Sequence, residues 1–218
     1  MKVEIWSDVV CPWCYLGKRR FERALEGFEH RDEVEVRWRS FELDPSAPGQ
    51  VEGDPVQRLV EKYGTSREEV EANQARLTEL AAAEGLEYHL DRTRPGNTFD
   101  AHRLTLLATA EGRGEAAVDR LFHAYFTEGE PIGDPQTLVR LLGEIGIDEQ
   151  RARSVLAGDV YAGEVRAEEA EAASLGASGV PFFVLDRRFG VSGAQGTDVF
   201  AAALQEAWDT RGEDPQPR

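Results

Sequence analysis

The only two thiols in this 218-residue chain stand three residues apart, in Cys11-Pro12-Trp13-Cys14. An apolar run, Val3, Ile5 and Trp6 followed by Val9-Val10, leads up to the first of them and reads as a strand. Beyond it, Cys14, Gly17, Phe21, Ala24-Leu25 and Phe28 recur at helical spacing, which places Cys14 on a buried face. Cys11 then falls at the N-cap and Pro12 at the first helical position, where a missing N–H costs nothing. A helix N-terminus presents unpaired N–H groups and the positive end of the helix dipole, so it favours a thiolate over a thiol. Thiols so placed titrate at roughly 3.5–7.5, against about 8.5 for a free cysteine. Cys11 is expected as the exposed nucleophile, and Cys14, one turn on, as the buried thiol that resolves a mixed disulfide. Lys18 and Arg19 on the following turn would add positive charge.

Two other uses of such a pair fare worse. A structural zinc site needs four ligands, yet there is no third cysteine, and His30, His89, His102 and His123 are scattered without ligand spacing, so no metal is expected. Two inert core cysteines fit poorly with Pro12-Trp13 between them, which marks a strand-to-helix turn rather than the inside of an element. Redox chemistry is the favoured reading.

Composition narrows the partners. A net charge of −16 argues against nucleic acid or an anionic membrane surface, both of which require a basic face. No apolar run approaches the length of a bilayer span. The opening Met1-Lys2-Val3-Glu4-Ile5-Trp6 alternates like a strand and lacks the apolar stretch of a secretory signal, so a cytoplasmic location is expected. In a reducing compartment an isolated Cys-x-x-Cys is catalytic more often than structural.

The elements that must position the pair follow from periodicity. Val34 to Leu43 alternates strictly, giving a second strand parallel to the first across a right-handed β-α-β crossover. From 54 to 171 the pattern is helical: Thr65-Ser66-Arg67-Glu68-Glu69 reads as a capping box, Asn97-Thr98 as a cap, Ala117 to Phe126 as a helix, Asp134-Pro135 as an N-cap and first-turn pair, and Asp148 as a further cap. Tyr161 to Leu175 reads as a long helix closed by Gly176. Strands return at Gly179 to Leu185 and Phe189 to Ser192, a hairpin turning at Asp186-Arg187-Arg188, before a last helix capped by Thr197. The organisation expected is therefore 1–53 and 172–210 as two parts of one α/β domain, 54–171 as an all-helical insertion, and 211–218 as a polar tail.

This layout resembles a thioredoxin-like fold with an inserted all-helical domain, as in the DsbA-like family. Cys11-Pro12-Trp13-Cys14 and Gly179-Val180-Pro181-Phe182 carry the likeness. Ser7-Asp8-Val9-Val10 before the cysteines, Asn97-Thr98 with Ala101-His102-Arg103, and Val191-Ser192-Gly193-Ala194-Gln195 resemble its FrnE-like cytoplasmic branch. The resemblance implies a cis Pro181 facing the cysteines and leaving the Val180 backbone to pair with an extended substrate; without it, Pro181 reads as an ordinary trans proline opening a strand. Pro12 and Trp13 would set the redox poise and touch substrate, and Asn97, Thr98 and His102 would line a cleft roofed by the insertion. The wider family carries a buried acid six residues before the first cysteine, where this chain has Ile5; Glu4, Asp8 and His102 are the candidates to replace it.

The function expected is thiol–disulfide exchange with protein or small-molecule thiols and disulfides, with no cofactor beyond the cysteine pair, glutathione as a possible co-substrate, and a redox partner for recycling. An alternative on the same fold is a glutathione-dependent isomerase or transferase resembling 2-hydroxychromene-2-carboxylate isomerase or the kappa-class glutathione transferases. Those proteins have serine or lack the second thiol where this chain has Cys11 and Cys14, which favours exchange. A binding module that only holds unfolded chains is the non-enzymatic possibility.

Overall fold

The computed structural model describes residues 1–50 and 53–211, so the expected polar tail lies outside the described residues beyond Arg211. The apolar run before the cysteines is β1 (Lys2–Ser7), and the helix after them is α1 (Pro12–Glu26). β2 (Glu35–Ser40) runs parallel to β1, from Lys2 opposite Glu35 to Ser7 opposite Ser40. The sheet is completed by β3 (Phe182–Leu185), antiparallel to β1, and β4 (Phe189–Ser192), antiparallel to β3. The order β2-β1-β3-β4 puts the strand that delivers Cys11 in the interior of the sheet.

Between β2 and β3 the chain is helical: α2 (Pro55–Tyr63), α3 (Arg67–Ala83), α4 (Phe99–Ala110), α5 (Gly114–His123) with a π turn at Ala124–Glu128, α6 (Pro135–Glu144), α7 (Glu149–Ala157) and α8 (Ala162–Ser174). α9 (Thr197–Asp209) closes the fold. This is the expected α/β class, a thioredoxin-like sheet interrupted by helices. The boundary expected at 171 falls inside α8, and α8 belongs against the sheet: Trp6 Nε1 donates to the Glu168 carbonyl at 2.8 Å, and Ser40 N donates to the Glu168 carboxylate at 2.7 Å.

Strand periodicity of two decides what each face buries. Val3 and Ile5 of β1, with Phe183 and Leu185 of β3, face the main core beside Leu16, Phe21, Phe200 and Leu204 of α1 and α9. Trp6, Phe182 and Val184 face the other way and pack on Ala172 and Leu175 beside α8. The main core is continuous with the helical segment, where Tyr15 of α1 stacks on Phe122 (ring centres 4.9 Å apart) and Tyr88 stacks on Phe126.

Local chemistry sets most helix starts. Ser66 and Glu69 form the reciprocal capping box, and the Asp134 and Asp148 carboxylates accept from the N–H groups of Thr137 and Arg151. Two caps differ from expectation. Thr197 is the first residue of α9, after Gly196 at the cap, and no side chain caps that helix. At α4 the Asn97 side-chain Oδ1 accepts from Phe99 N at 2.9 Å, while Thr98 makes no capping bond. The β3–β4 hairpin turns through Asp186 and Arg187, both in the left-handed region (φ 46° and 59°), the hand that matches the twist of the strands. Asp186 Oδ1 accepts from Lys2 N at 2.6 Å, anchoring the turn to β1.

Lys18 does not add charge near the cysteines. Its buried side chain points to α5, and the ammonium meets Glu22 one turn on in α1 and Asp119 of α5, the latter at 2.6 Å. Glu4 is also removed from the cysteines: it points to the α8 side and is held by Lys2 (2.9 Å), Arg39 (3.0 Å to Nε) and Arg187. Burial raises its pKa, but the bonds from Arg39, Lys2 and Arg187 outweigh burial and bring it down from 4.5 to about 2. A carboxyl depressed in the folded state stabilises the protein above its unfolded pKa, and that contribution is lost as pH falls from about 4.5 toward 2. Because Arg187 and Lys2 reach solvent, we expect about 2 kcal/mol rather than the full value of such a shift. Urea titrations of Glu4→Gln and the parent at pH 7 and pH 3 check this: the gap between them should narrow at pH 3.

Candidate active site

β1 ends at Ser7, and the turn Asp8-Val9-Val10 is closed by Cys11 N donating to the Asp8 carbonyl at 3.0 Å. Cys11 is the N-cap of α1 in extended conformation (φ −88°, ψ 110°), and Pro12 opens the helix. Tyr88 reaches across from the helical segment to donate to the Pro12 carbonyl at 2.7 Å. Helix and sheet approach closely here because position 17 is glycine. A Cβ on Gly17 would lie 3.0 Å from Pro181 Cγ and 3.4 Å from the Ala194 backbone. The Val180–Pro181 peptide bond is cis, and the Val180 carbonyl accepts from the Cys11 thiol at 3.6 Å.

The two thiols differ in environment. Cys14 is fully buried (0% exposed), and burial, then the adjacent Cys11, pushes its thiol well above the ordinary range. The Asp8 backbone and the Ser7 side chain beside its sulfur act in the opposite direction. Cys11 is only 3% exposed, which corrects the expectation of an exposed nucleophile. It nevertheless lines a cleft of about 1190 Å³ between the β1–α1 turn and the helical segment. Cover comes from remote segments, Val180 before β3 and Thr98 before α4, so an N-cap position guarantees local exposure but not global exposure.

Asp8, Pro12, Trp13, Thr98 and Val180 share this cleft with Cys11. Trp13 (38% exposed), Leu43 and Tyr63 put large apolar surfaces on its wall. Pro181 is buried against Gly17 beside Val180. Asn97 and His102, expected in the lining, are not there. Besides capping α4, Asn97 donates to Glu42 at 3.2 Å. His102 is 5% exposed and lies behind the cleft wall, with Nε2 3.4 Å from Asp8 Oδ1. Asp8 (1% exposed) links the two regions: it lines the cleft, accepts from Leu43 N through Oδ2 at 2.7 Å, and turns Oδ1 toward the imidazole. Burial opposes a charge on His102, but Asp8, then Glu42 and Glu169, more than offset it, so its pKa is raised. Burial likewise raises Glu42, against the ion pair it makes with Arg166. Of the three candidates Glu4, Asp8 and His102, Asp8 adjoins Cys14, His102 stands next to Asp8, and Glu4 is turned toward Arg39 and Arg187.

Comparison with known proteins agrees with this geometry. The family model for the DSBA-like thioredoxin domain matches residues 2–205. The chain belongs to that family. YwbO of Bacillus subtilis is 31% identical over 211 residues, covering 94% of this chain and 96% of YwbO. The crystal structure of a probable DsbA oxidoreductase from Streptomyces coelicolor is 50% identical, with a TM-score of 0.93 over 100% of this chain and 93% of that one. The cytosolic disulfide reductase DsbM of Pseudomonas aeruginosa, solved with GSH, shares the fold at 18% identity and a TM-score of 0.68, over 96% of this chain and 100% of that one. No helix among the described residues of this DSBA-like protein is long and apolar enough to cross a membrane.

Sequence reasoning passed over Ser7 as a site residue. The signal was available: a hydroxyl and a carboxyl, Ser7-Asp8, interrupt an otherwise apolar approach to the cysteines, and both are buried. Buried polar groups need partners, and here the partners are at the active site.

Proposed function

We propose that this protein is a thiol–disulfide oxidoreductase with Cys11 as nucleophile and Cys14 as resolving thiol. The observation that carries the reading is the asymmetry of the pair. One thiol caps a helix and lines a large cleft; the other is fully buried one turn behind it with its proton held tightly. In the forward direction the Cys11 thiolate attacks a substrate disulfide, forming a mixed disulfide and releasing one substrate thiolate. Cys14, once deprotonated, attacks Cys11 sulfur, closes the Cys11–Cys14 bond and releases the second substrate thiolate. The substrate is reduced by two electrons and the protein oxidised by two; the reverse sequence oxidises a dithiol.

The cleft suits a polypeptide substrate. Its volume exceeds that of small-molecule pockets, typically about 300–1,000 Å³. Trp13, Leu43 and Tyr63 offer apolar contacts to side chains flanking a cystine. The Val180 backbone would pair with an extended segment beside Cys11, with Pro181 and Thr98 shaping the floor. Glutathione is the proposed small-thiol co-substrate, a role made concrete by the GSH in the DsbM structure, and a cytosolic reducing partner would recycle the pair. A glutathione-dependent isomerase would use the thiol of glutathione itself and would leave the buried Cys14 without a task.

Equilibration in glutathione redox buffers, followed by Trp13 fluorescence and by counting alkylatable thiols, tests the reading. The expected result is a single reversible two-electron transition of the Cys11–Cys14 pair. A midpoint below about −270 mV would make it a cytosolic reductant, and one nearer −180 mV an isomerase or oxidant. Both thiols remaining alkylatable across the whole range would refute exchange.

A further inference from the structure

Cys14 must lose its proton to resolve a mixed disulfide, yet it is fully buried and its thiol is held above the ordinary range. The position six residues before Cys11 is Ile5, an apolar core residue that cannot take the proton. Behind the active site, however, is a small cavity of about 20 Å³ whose lining includes the polar residues Ser7, Trp38, Ser40, His102 and Thr105 beside apolar ones such as Val9 and Phe122. A site of that size admits one water, and a buried water needs two to four polar partners. Two side chains on this cavity carry buried polar atoms that make no hydrogen bond, Trp38 Nε1 and His102 Nε2. Asp8 Oδ1, 3.4 Å from that same imidazole nitrogen, is unbonded as well. The indole N–H has no partner, and Nε2 and Oδ1 face each other without a well-formed hydrogen bond; buried polar atoms left so are costly unless something joins them.

We propose that this cavity is a binding site for one structural water, and that Ser7, this water, His102 and Asp8 form the path by which the Cys14 proton reaches the cleft. The inference rests on the exchange reading above. The indole N–H donates to the water, and the water, held also by the Ser7 hydroxyl, donates to His102 Nε2. When the mixed disulfide forms, the Cys14 proton passes to Ser7 oxygen as the Ser7 proton passes to the water and a water proton to Nε2. The imidazolium formed sits against the Asp8 carboxylate. The Cys14 thiolate attacks Cys11 sulfur, the Cys11–substrate bond breaks, and the substrate leaves as a thiolate that takes its proton from the cleft. Asp8, which lines the cleft, then returns the stored proton to solvent.

Position gives His102 the properties of a terminus. Asp8 from the β1–α1 turn, Glu42 after β2 and Glu169 of α8 all favour its charged form, while Arg166 of α8 neutralises Glu42 and Glu169 and Arg39 lines the cavity. His102 accepts a proton only when neutral, so the resolving step should slow on the acid side of its titration. That limb lies above the pH at which a free imidazole titrates.

Stopped-flow oxidation of the reduced protein by a disulfide-bonded peptide separates the two steps. The second-order phase reports attack by Cys11, and the plateau at saturating peptide reports resolution by Cys14. In His102→Asn and in Ser7→Ala we expect the plateau at pH 7 to fall about tenfold to a hundredfold, as loss of proton transfer does, with its acid limb moved to higher pH and the second-order phase little changed. Trp38→Phe, which removes the indole N–H and keeps a smaller aromatic ring, should lower the plateau by a smaller factor. The parent itself provides a readout that needs no variant: the plateau should depend non-linearly on the fraction of D₂O, because several protons move together. A linear dependence, an unchanged plateau in His102→Asn, or equal losses in both phases would overturn the path. A parent that forms no mixed disulfide at all would remove the exchange reading, and the path with it.

Discussion

Cys11→Ser should reduce the rate of insulin disulfide reduction on the order of 10³-fold or more, since a serine hydroxyl cannot attack a disulfide and the losses on removing a nucleophile are of this size or larger. Cys14→Ser should behave differently. Cys11 still attacks, but nothing displaces the substrate, so one equivalent of mixed disulfide accumulates and turnover stops after a single event. Intact-mass spectrometry after incubation with a disulfide-bonded peptide distinguishes the two: a peptide adduct on Cys14→Ser and none on Cys11→Ser. The asymmetry follows from the fold. The N-cap thiol lines the cleft, whereas the thiol one turn later is enclosed by Ser7, Asp8 and the sheet. Equal adducts on both variants would mean that the buried sulfur is reachable from the cleft, and the role assignment would be wrong.

The largest loss of stability should come from a residue far from either thiol. Gly49, Gly96 and Gly133 bring three chain segments into backbone contact, and a Cβ on Gly133 or on Gly96 would overlap the carbonyl oxygen of Gly49. A carbonyl oxygen cannot rotate away as a side chain can, so the segments must part. Gly133→Ala should therefore cost about 3 kcal/mol, the upper end of overpacking penalties, and lower the Tm by roughly 10 °C. Gly163→Ala is the control: it lies in α8 with no atom within 4 Å of the added carbon, and is expected to be neutral or to gain a few tenths of a kcal/mol. Differential scanning calorimetry of both variants checks the pair. The glycine crossing also joins the strap after β2 to the approaches of α4 and α6, so Gly133→Ala should loosen the cleft wall at Thr98 as well.

Which parts of this were legible in the sequence follows from the range of the forces involved. Elements set by neighbours in the chain were readable: the strand before the cysteines, Cys11 and Pro12 at the head of α1, the capping box at Ser66 and Glu69, the β3–β4 hairpin. Each depends on interactions across a few residues. What escaped was set by residues distant in sequence. Lys18, next to the active-site turn in the chain, is drawn away by Asp119 of α5. Cys11 is covered by Val180 and by the approach to α4. α8 reads as a member of the helical insertion from its alanine- and glutamate-rich pattern, yet Glu168 ties it to Arg39 (2.8 Å) and Ser40 of β2. His102 was singled out, but its place behind the wall rather than on it depends on Asp8, Glu42 and Glu169 converging from three other elements.

The strand order carries a consequence for how the enzyme is made. β1 leaves the ribosome well before its second neighbour, β3, which lies beyond the whole helical segment. Until β3 is synthesised, half of the hydrogen-bonding edge of β1 is bare, and Val180, whose carbonyl accepts from the Cys11 thiol, has not yet been made. Such long-range pairing is intrinsically slow and leaves edges open in the meantime. The nascent chain thus carries the Cys11 sulfur without its cover from the Val180 carbonyl until the hairpin arrives.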